Sequence, residues 1–483
     1  MTDRESSSNV NIPAEDTVDA AVEPAPPPRR PAGLPAHLSL PRQVFALALW
    51  PFLDALMVFL VGMVDTVLAG HDTPATMNAI GGAGYLIWLM GLLQGAVGIG
   101  ATALIARAFG AGRTDEANHA AGQAVLLALI WGLINALLFW YIIAPYAGRL
   151  VNLQGQALAD CETYLRILAL AAPCRAVLFL CAASLRGAGD TRSPFFVMVA
   201  VNFVNIVVSV ALVVPWSPIG GHGIAGIAWG TNAAWAVGCV IIILLLMVGP
   251  TRIRLTFAAM RPNKPMLGRL IRIGGPSLAE NIGHWGVNYL VLLTVGYLVR
   301  IQGNQDLVGA HMIAIRIEAI CFMACYAIGI AAATLIGQYL GAGDPRRAKQ
   351  AGWICLAGAI AISLFFSVIF ITIPEILVRI ATDKPAFHDI APRLLFIIAW
   401  SQVGFAAYLV LGGALRGAGD VRWSMLMVFA TSILCRLPLV WLFGVTLGGG
   451  INGIWFAMAL ELIVRGIVFG ARFMHGGWTR QKV

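Results

Sequence analysis

The hexapeptide Leu-Arg-Gly-Ala-Gly-Asp occurs twice in this chain, at residues 185–190 and again at residues 415–420. The two copies lie 230 residues apart in a chain of 483, so each half contains one. Two further blocks repeat in the same order and at nearly the same spacing. They are Gly-Ala-Gly at 110–112 and 341–343, and Gly-Ile-x-Gly-Ile at 223–227 and 450–454. The sequence therefore predicts two halves that arose by duplication and fold alike.

The composition is that of a membrane protein. Hydrophobic residues make up 59% of the chain and charged residues only 11%, whereas soluble domains carry about 25% charged residues. The net charge of +9 comes from basic residues between apolar segments, and not from the basic soluble face that nucleic-acid binding needs. We therefore expect a lipid bilayer, and no nucleic acid, among its partners.

Twelve segments are long and apolar enough to cross a bilayer, which takes about 20 residues of helix. They lie at 43–69, 79–106, 118–143, 160–185, 194–215, 224–248, 269–297, 308–338, 350–373, 388–414, 423–445 and 450–471. The predicted fold is an all-α integral membrane protein with twelve transmembrane helices in two pseudo-symmetric six-helix lobes. Because each half holds an even number of spans, both halves enter the membrane in the same sense.

Four regions follow from these spans. Residues 1–40 are polar and proline-rich and predict a disordered cytoplasmic tail. Residues 41–248 form the N-lobe, residues 249–268 a cytoplasmic linker, and residues 269–483 the C-lobe. With the N-terminus inside, the inner loops and tails hold 22 Lys and Arg residues and the outer loops hold four. The positive-inside rule thus predicts that both termini are cytoplasmic.

Two six-helix bundles around a central cleft suit a transporter that works by alternating access, in which the lobes rock to open the cleft to one side and then the other. The alternative is a duplicated scaffold or channel without a transport cycle. A membrane-embedded enzyme is a third class, but neither a His-x-x-Glu-His nor a Gly-x-Ser-x-Gly pattern occurs. We therefore predict that the protein is not an enzyme.

Several stretches of sequence together form a specific family pattern, although each of them alone is weak evidence. They are Leu185–Arg192 followed by Pro194, the Gly-Ala-Gly turns at 110–112 and 341–343, and Val64-Asp65-Thr66 followed by Gly70. With them, over roughly residues 42–472, the chain resembles the multidrug and toxic compound extrusion (MATE) transporters. The resemblance implies a secondary antiporter of the bacterial inner membrane. Such a protein exports organic, often cationic, compounds in exchange for H⁺ or Na⁺, and it needs no cofactor.

Two acidic residues, Asp54 and Asp65, lie in the first span, where a charged side chain costs about 2.5–3.5 kcal/mol on insertion scales. Their separation is close to three helical turns, which puts them on one face about 16 Å apart. By the resemblance, Asp65 matches the family's first-helix aspartate, which is associated with cation coupling. The alternative is an interfacial aspartate that caps the helix end. For Asp54, a cation or substrate role and a merely hydrogen-bonded role both stay open.

The fifth and sixth spans offer further oxygen ligands, which hard cations prefer. Asn205 and Ser209 share a helix face at i, i+4. They resemble an Asn-x-x-x-Asp pattern of the family, with Ser in place of the Asp. Thr231 matches a polar position on the family's sixth helix. The alternative for all three is ordinary hydrogen bonding between helices.

In the seventh span, Glu280 follows Pro276 by four residues and resembles the acidic residue on the family's seventh helix. His284 lies one turn further on, so the two side chains can pair on one face. Because His titrates near neutral pH, the pair can relay protons; the alternative is a static hydrogen-bonded pair. Phe405 stands where part of the family carries an acid on helix ten. The coupling ion, H⁺ or Na⁺, therefore stays open.

Aromatic side chains within the spans are candidates for binding organic cations through cation–π contacts. They are Tyr85, Trp88, Trp285, Tyr289 and Tyr408. The alternative for each of them is core packing or a place in an interfacial aromatic belt.

A lipid-linked precursor flippase of the wider superfamily keeps this architecture and changes the cargo. Such a protein needs a basic cleft for pyrophosphate, whereas here most Arg and Lys residues lie in loops. For most of the other charged residues inside spans we predict buried ion pairs; they are Arg175, Arg316, Glu318 and Arg436. The repeated hexapeptide falls in the cytoplasmic turns after spans four and ten, so we interpret it as a structural corner of each lobe.

Overall fold

The structure is a computed structural model, and it describes residues 34, 38–150, 153–215 and 217–481. The predicted tail, residues 1–40, lies almost entirely outside the described residues. The described residues form helices and no β-strand. The main helices are α1 (Leu40–Asp72), α2 (Pro74–Gly110), α3 (Thr114–Arg149), α4 (Gly155–Leu170), α5 (Ala172–Gly187), α6 (Arg192–Val213), α7 (Gly223–Val248), α8 (Lys264–Gln302), α9 (Asp306–Gly341), α10 (Pro345–Thr372), α11 (Pro374–Ala381), α12 (Pro385–Ala399), α13 (Gln402–Gly417), α14 (Val421–Thr446) and α15 (Gly450–His475).

Ten of these helices are long and apolar enough to cross a membrane. Two more spans are helix pairs, α4 with α5 and α12 with α13, which bend by 54° and 61° at short breaks. The predicted membrane fold of twelve spans in two six-helix lobes is thus confirmed. We call helices α1–α7 the N-lobe and helices α8–α15 the C-lobe. The two bends fall at the same place in each lobe. Pro173 lies just after the first bend, and it helps to break the helix there because proline cannot continue the hydrogen-bond ladder of a helix.

Both copies of the hexapeptide have the same backbone. In each, the glycine before the final Asp is left-handed, with φ of 88° at Gly189 and 87° at Gly419. The amide of the final Asp donates to the carbonyl of the first Leu, at 2.9 Å in the first copy and 2.8 Å in the second. These bonds close a Schellman-type helix end, where a positive φ favours glycine. Identical sequence in the two lobes therefore produces the same turn.

The first glycine of each copy lets a neighbouring helix come close. Gly187 packs against the backbone of Thr102 in α2, and Gly417 packs against the backbone of Ala333 in α9. Positions 102 and 333 are also equivalent in the repeat, since they share the offset of the two Gly-Ala-Gly turns. A Cβ atom on either glycine would meet a backbone carbonyl. Small residues are what allows helices in a membrane to approach this closely.

The linker between the lobes packs on the N-lobe. Ile253 and Leu255 in this segment are buried. Gln123 in α3 donates its side-chain amide to the linker carbonyls of Ala259 and Arg261, both at 2.7 Å. Buried apolar side chains and satisfied carbonyls hold the linker against α3, so it connects the lobes as an ordered segment.

The lobes touch each other on the side of the bundle that carries the basic turns, which we call the basic side. These turns are 111–113, 188–191, 249–263, 342–344 and 418–420. Gln338 in α9 donates to the carbonyl of Gly187 at 2.9 Å, and Arg107 in α2 donates to the carbonyl of Ala418 at 3.1 Å. Positions 107 and 338 are equivalent in the repeat. Each lobe therefore caps the hexapeptide turn of the other, and the bundle is closed on the basic side.

A substitution at the contact between the lobes tests whether they pack closely on the basic side. Gly110, at the end of α2, lies against the backbone of Gln338. A Gly110→Val substitution overfills this contact, which costs typically about 1–3 kcal/mol, so we expect a lower midpoint of thermal unfolding in detergent. Gly62→Val in α1 is the matched control, because nothing lies within 4 Å of its added Cβ. Equal midpoints for the two variants would contradict the close contact.

Candidate functional site

Asp65 is the centre of a hydrogen-bonded group in the N-lobe. The residue is buried, with 4% of its surface exposed. The Tyr164 hydroxyl of α4 donates to Asp65 Oδ2 at 2.8 Å. The Thr231 hydroxyl of α7 lies 3.0 Å from both carboxylate oxygens and donates to them. Two other spans therefore hold this one carboxylate of α1.

Asn205 and Ser209 in α6 extend the group. Asn205 Nδ2 donates to Thr231 Oγ1 at 3.0 Å and to Ser209 Oγ at 3.4 Å. Both α6 residues are fully buried, and Asn205 Oδ1 has no hydrogen-bond partner among the described residues. The structure thus brings together four of the predicted residues: Asp65, Asn205, Ser209 and Thr231.

No cation balances the Asp65 carboxylate: within the described part of the chain it forms no salt bridge, and its partners are neutral hydroxyls. Arg175 in α5 is half-buried, but its guanidinium packs 5.1 Å from the Trp235 ring centroid. An ionised carboxylate without a counter-charge is costly in a water-poor interior. The group can lower that cost by taking up a proton or a small cation, and this is the chemistry that the site offers.

The arginines of the repeated hexapeptide bind the two other candidate acids. Arg186 Nη1 lies 3.0 Å from Asp54 Oδ2, and Arg416 Nη1 lies 3.0 Å from Glu280 Oε1. Ser424 adds a hydroxyl donor to Glu280 at 3.1 Å. The acids are 226 residues apart and the arginines 230, so the same ion pair occurs once in each lobe. The hexapeptide is therefore a corner that also fixes a buried acid on the first helix of its lobe.

The predicted pairing of Glu280 with His284 is wrong. His284 Nε2 instead lies 3.3 Å from Asn288 Nδ2, and its ring meets Trp88 edge-on with 6.0 Å between the ring centroids. An arginine offers a charge-assisted bond to a carboxylate, which is stronger than a bond from a neutral ring. Arg416 therefore holds Glu280, and His284 turns to other partners.

A second charged cluster lies in the C-lobe. Glu461 in α15 is fully buried and forms salt bridges with Arg436 at 2.7 Å and Arg465 at 2.6 Å. Arg436 also donates to Asn288 Oδ1 at 3.1 Å, which connects the cluster to His284. The buried ion pair predicted for Arg436 is present. Because two guanidiniums share one carboxylate, this cluster is positively charged where the Asp65 group is negatively charged.

The other charged residues predicted to form buried pairs have different surroundings. Gln402, at the bend between α12 and α13, donates to Glu318 Oε1 at 3.1 Å. Arg316 is exposed, and Arg175 packs against aromatic rings. None of the three forms a salt bridge with another described residue. The prediction of ion pairs is therefore wrong for Arg175, Arg316 and Glu318, since amide and aromatic partners or exposure replace the expected counter-charge.

Four of the five predicted aromatic residues cluster where α2 meets α8. Trp285 and Tyr289 stack with 5.3 Å between their ring centroids. Tyr85 lies 6.1 Å from Tyr289 and 5.7 Å from Trp88, which is 38% exposed. The fifth residue, Tyr408, is buried apart from them in the C-lobe. The cluster is built from both lobes, so a movement of one lobe against the other must rearrange it.

Sequence reasoning missed the partners of the candidate acids. Asp54 and Glu280 are separated by nearly the same number of residues as the two hexapeptides, and each hexapeptide contains one arginine. The sequence therefore contained enough information to predict the two ion pairs. The ion pair of Glu461 was also predictable, because Arg465 follows it by one helical turn inside an apolar span. Tyr164 had no such signal, since a tyrosine in a span is ordinary.

Comparisons with known proteins show the family of the chain. A family model described as MatE matches residues 52–211 and 276–442, which is more than half of the chain. A probable multidrug resistance protein NorM of Thermotoga maritima is 28% identical, over 92% of this chain and 94% of its own. The multidrug resistance protein PmpM of Pseudomonas aeruginosa is 26% identical, over 83% and 84%.

Solved structures show the same fold. A MOP superfamily transporter from Pyrococcus furiosus matches with a TM-score of 0.84 at 18% identity, covering 92% of this chain and 98% of that one. An outward-facing multidrug resistance MATE transporter matches with a TM-score of 0.81 at 18% identity, covering 90% and 96%. At this identity the likeness concerns the fold.

The repeated ion pair makes a prediction about stability. Arg416→Gln leaves Glu280 buried without its cation, and breaking one side of a buried pair costs about 3–5 kcal/mol. We expect a clearly lower thermal midpoint for Arg416→Gln and partial recovery in the double variant Glu280→Gln/Arg416→Gln. The control is Arg347→Gln, which removes an exposed arginine at 3.7 Å from Asp344 and should change little. A double variant less stable than Arg416→Gln would contradict the pairing.

Proposed function

The chain belongs to the MatE family of membrane transporters, and on this premise we propose that it is a secondary antiporter. It exports organic, often cationic, compounds in exchange for a cation that enters. The observation that carries the proposal is Asp65, a buried carboxylate whose partners among the described residues are all neutral. The curated relatives named as multidrug resistance proteins support the class of cargo. The basic side faces the cytoplasm of a bacterial inner membrane, because basic loops stay on that side.

The cycle that we propose depends on the charge of Asp65. When the cleft faces outward, Asp65 takes up the coupling ion, and the N-lobe interior becomes neutral. Neutralisation removes the electrostatic attraction for a cationic compound and favours its release outside. When the cleft faces the cytoplasm, the ion leaves and the carboxylate regains its charge. Because ion and compound favour opposite charge states of one group, their movements are linked.

The hydrogen bonds around Asp65 favour H⁺ as the ion, with Na⁺ as the alternative. Tyr164 and Thr231 already donate to the carboxylate, at 2.8 and 3.0 Å. A proton can join this network with small rotations of the two hydroxyls. A Na⁺ ion needs several oxygen ligands around it, so the side chains that now surround Asp65 would have to move apart to admit it. Asn205 Oδ1 and Ser209 Oγ would then be further oxygen ligands.

The remaining candidates take different parts in this proposal. Asp54 and Glu280 are each neutralised by an arginine, so they can bind a coupling ion only in a state where that salt bridge is broken. His284 connects the aromatic cluster to the charged group around Glu461. Residues Tyr85, Trp88, Trp285 and Tyr289 offer ring faces for an organic cation. Tyr408 has Arg465 4.7 Å over its ring, so we propose no cargo contact for it.

A lipid-linked precursor flippase is the second candidate, and the arrangement of charges supports it less. A pyrophosphate needs free cationic groups in the cleft. Arg436 and Arg465 are instead buried and are held by Glu461 at 2.7 and 2.6 Å. A scrambling assay with a labelled lipid in proteoliposomes separates the two candidates, because an antiporter moves dye and leaves the lipid in place.

The Asp65 assignment predicts a transport phenotype. We expect Asp65→Asn to reduce gradient-driven dye efflux in proteoliposomes at least tenfold, because the amide cannot gain or lose the coupling ion. Asp383→Asn is the matched control, since Asp383 is exposed and forms no hydrogen bond or ion pair with another described residue; it should transport normally. Asp65→Asn protein that folds and transports at the wild-type rate would remove Asp65 from the mechanism.

Separate gradients identify the coupling ion. Entry of one H⁺ down a gradient of one pH unit releases about 1.4 kcal/mol, which supports about tenfold accumulation of one exported compound. We expect an imposed pH gradient to drive efflux without Na⁺, and a Na⁺ gradient at equal pH to drive little. Efflux that follows Na⁺ alone would identify Na⁺ as the ion, and efflux without either gradient would contradict antiport.

A further inference from the structure

A cavity of about 290 Å³ opens on the basic side of the C-lobe, where α14 begins. Its wall is formed by the start of α8, by the turn that ends the second hexapeptide and by the end of the described chain. Arg269 and Arg272 come from α8, and Arg422 and Trp423 from α14. The cavity lies outside the Asp65 group and the aromatic cluster, so the proposed transport cycle does not use it.

The cavity wall carries two uncompensated positive charges. Arg269 is engaged by Glu116 of α3 at 2.8 Å. The carboxylate in the wall, Asp420, is engaged by an arginine of α15 at 2.8 Å. Arg272 and Arg422 are exposed and form no salt bridge with any other described residue. The wall therefore attracts an anion.

The start of α14 lacks the cap that its counterpart in the N-lobe has. In the first hexapeptide, Asp190 Oδ1 accepts from the amide of Ser193 at 3.1 Å and caps the first turn of α6. In the second, the carboxylate of Asp420 turns to Arg472 and Gln481, and no side chain caps the helix. Free amides at a helix start attract anions. Here they adjoin a cavity that already has two free arginines.

The surroundings of the cavity place the anion at the surface of a bilayer. Trp423 and Ile271, next to the two free arginines, are 49% and 55% exposed. Tryptophan at the end of a span is typical of the headgroup level, and exposed isoleucine is typical of contact with acyl chains. The guanidinium of Arg472 lies 4.8 Å from the Trp423 ring centroid and fixes its position. Basic pockets between spans at this level bind anionic lipid headgroups.

We propose that this cavity binds the phosphate of an anionic phospholipid headgroup. Arg272 and Arg422 hold the phosphate, the free amides at the start of α14 complete the site, and the acyl chains run along Ile271 and Trp423. The wall also contacts the N-lobe, since Arg269 binds Glu116 and Arg107 donates to the carbonyl of Gln481 at 2.9 Å. The bound lipid therefore favours the state in which the lobes are closed on the basic side.

The test measures binding of phosphatidylglycerol to the full-length protein in detergent by native mass spectrometry. Each basic residue near an anionic surface contributes roughly a fivefold gain in binding, so we expect Arg272→Ala/Arg422→Ala to weaken the tightest binding about 25-fold. Arg346→Ala/Lys349→Ala is the matched control, because it removes two exposed charges on the same side. It should keep wild-type binding, and phosphatidylcholine should bind weakly to all three proteins. Thermal midpoints without lipid check that each variant is folded.

Several results would overturn the proposal. One is equal loss of phosphatidylglycerol binding in the two double variants, which indicates general attraction to a basic surface. Another is displacement of the lipid by inorganic phosphate at matched concentration, which indicates a site for soluble phosphate. A third is displacement by a peptide of residues 1–25, which contains six acidic residues and would identify the tail as the occupant. Persistence of the lipid against both competitors supports the headgroup site.

Discussion

A charged group inside the spans of this protein must be compensated by the protein itself, because the bilayer offers neither water nor counter-ions. Most of the buried acids meet this constraint with arginine. Asp54 has Arg186, Glu280 has Arg416, and Glu461 has two guanidiniums. Among the residues that the structure describes, the partners of Asp65 are hydroxyl groups. The cost of that arrangement is tolerable only if the carboxylate is neutralised for part of the time, and this makes Asp65 the natural place for an exchangeable ion.

Duplication explains the scaffold, and divergence explains the function. The hexapeptide turn, its arginine–acid pair and the close contact of its first glycine with the second helix occur in both lobes. The buried polar groups deeper in the spans do not repeat. The N-lobe has one carboxylate among neutral partners, and the C-lobe has Glu461 between two arginines. The two lobes thus bury polar groups of opposite charge while sharing one frame.

The fold was largely predictable because apolar length and the repeat are local signals. The predicted spans agree with the helices, and the differences lie at polar ends: the span predicted at 269–297 is the helix Lys264–Gln302. The bends in spans four and ten were not foreseen, since the second has no proline at its break. In the site, Asp65, Asn205, Ser209 and Thr231 were foreseen together. The partner of Glu280 was assigned wrongly because i, i+4 spacing favours His284. The observed partner, Arg416, lies 136 residues away and binds Glu280 more strongly because it is charged.

In the proposed cycle, Asp65 carries the coupling proton and gives it up when an organic cation binds. Infrared difference spectroscopy measures this directly, because a protonated carboxyl group has a carbonyl stretch that the ionised group lacks. On addition of a transported cation, we expect loss of a protonated carboxyl band in the wild-type protein and no such loss in Asp65→Asn. A wild-type spectrum that keeps this band when the cation binds, or an Asp65→Asn spectrum that loses it equally, would contradict this role of Asp65.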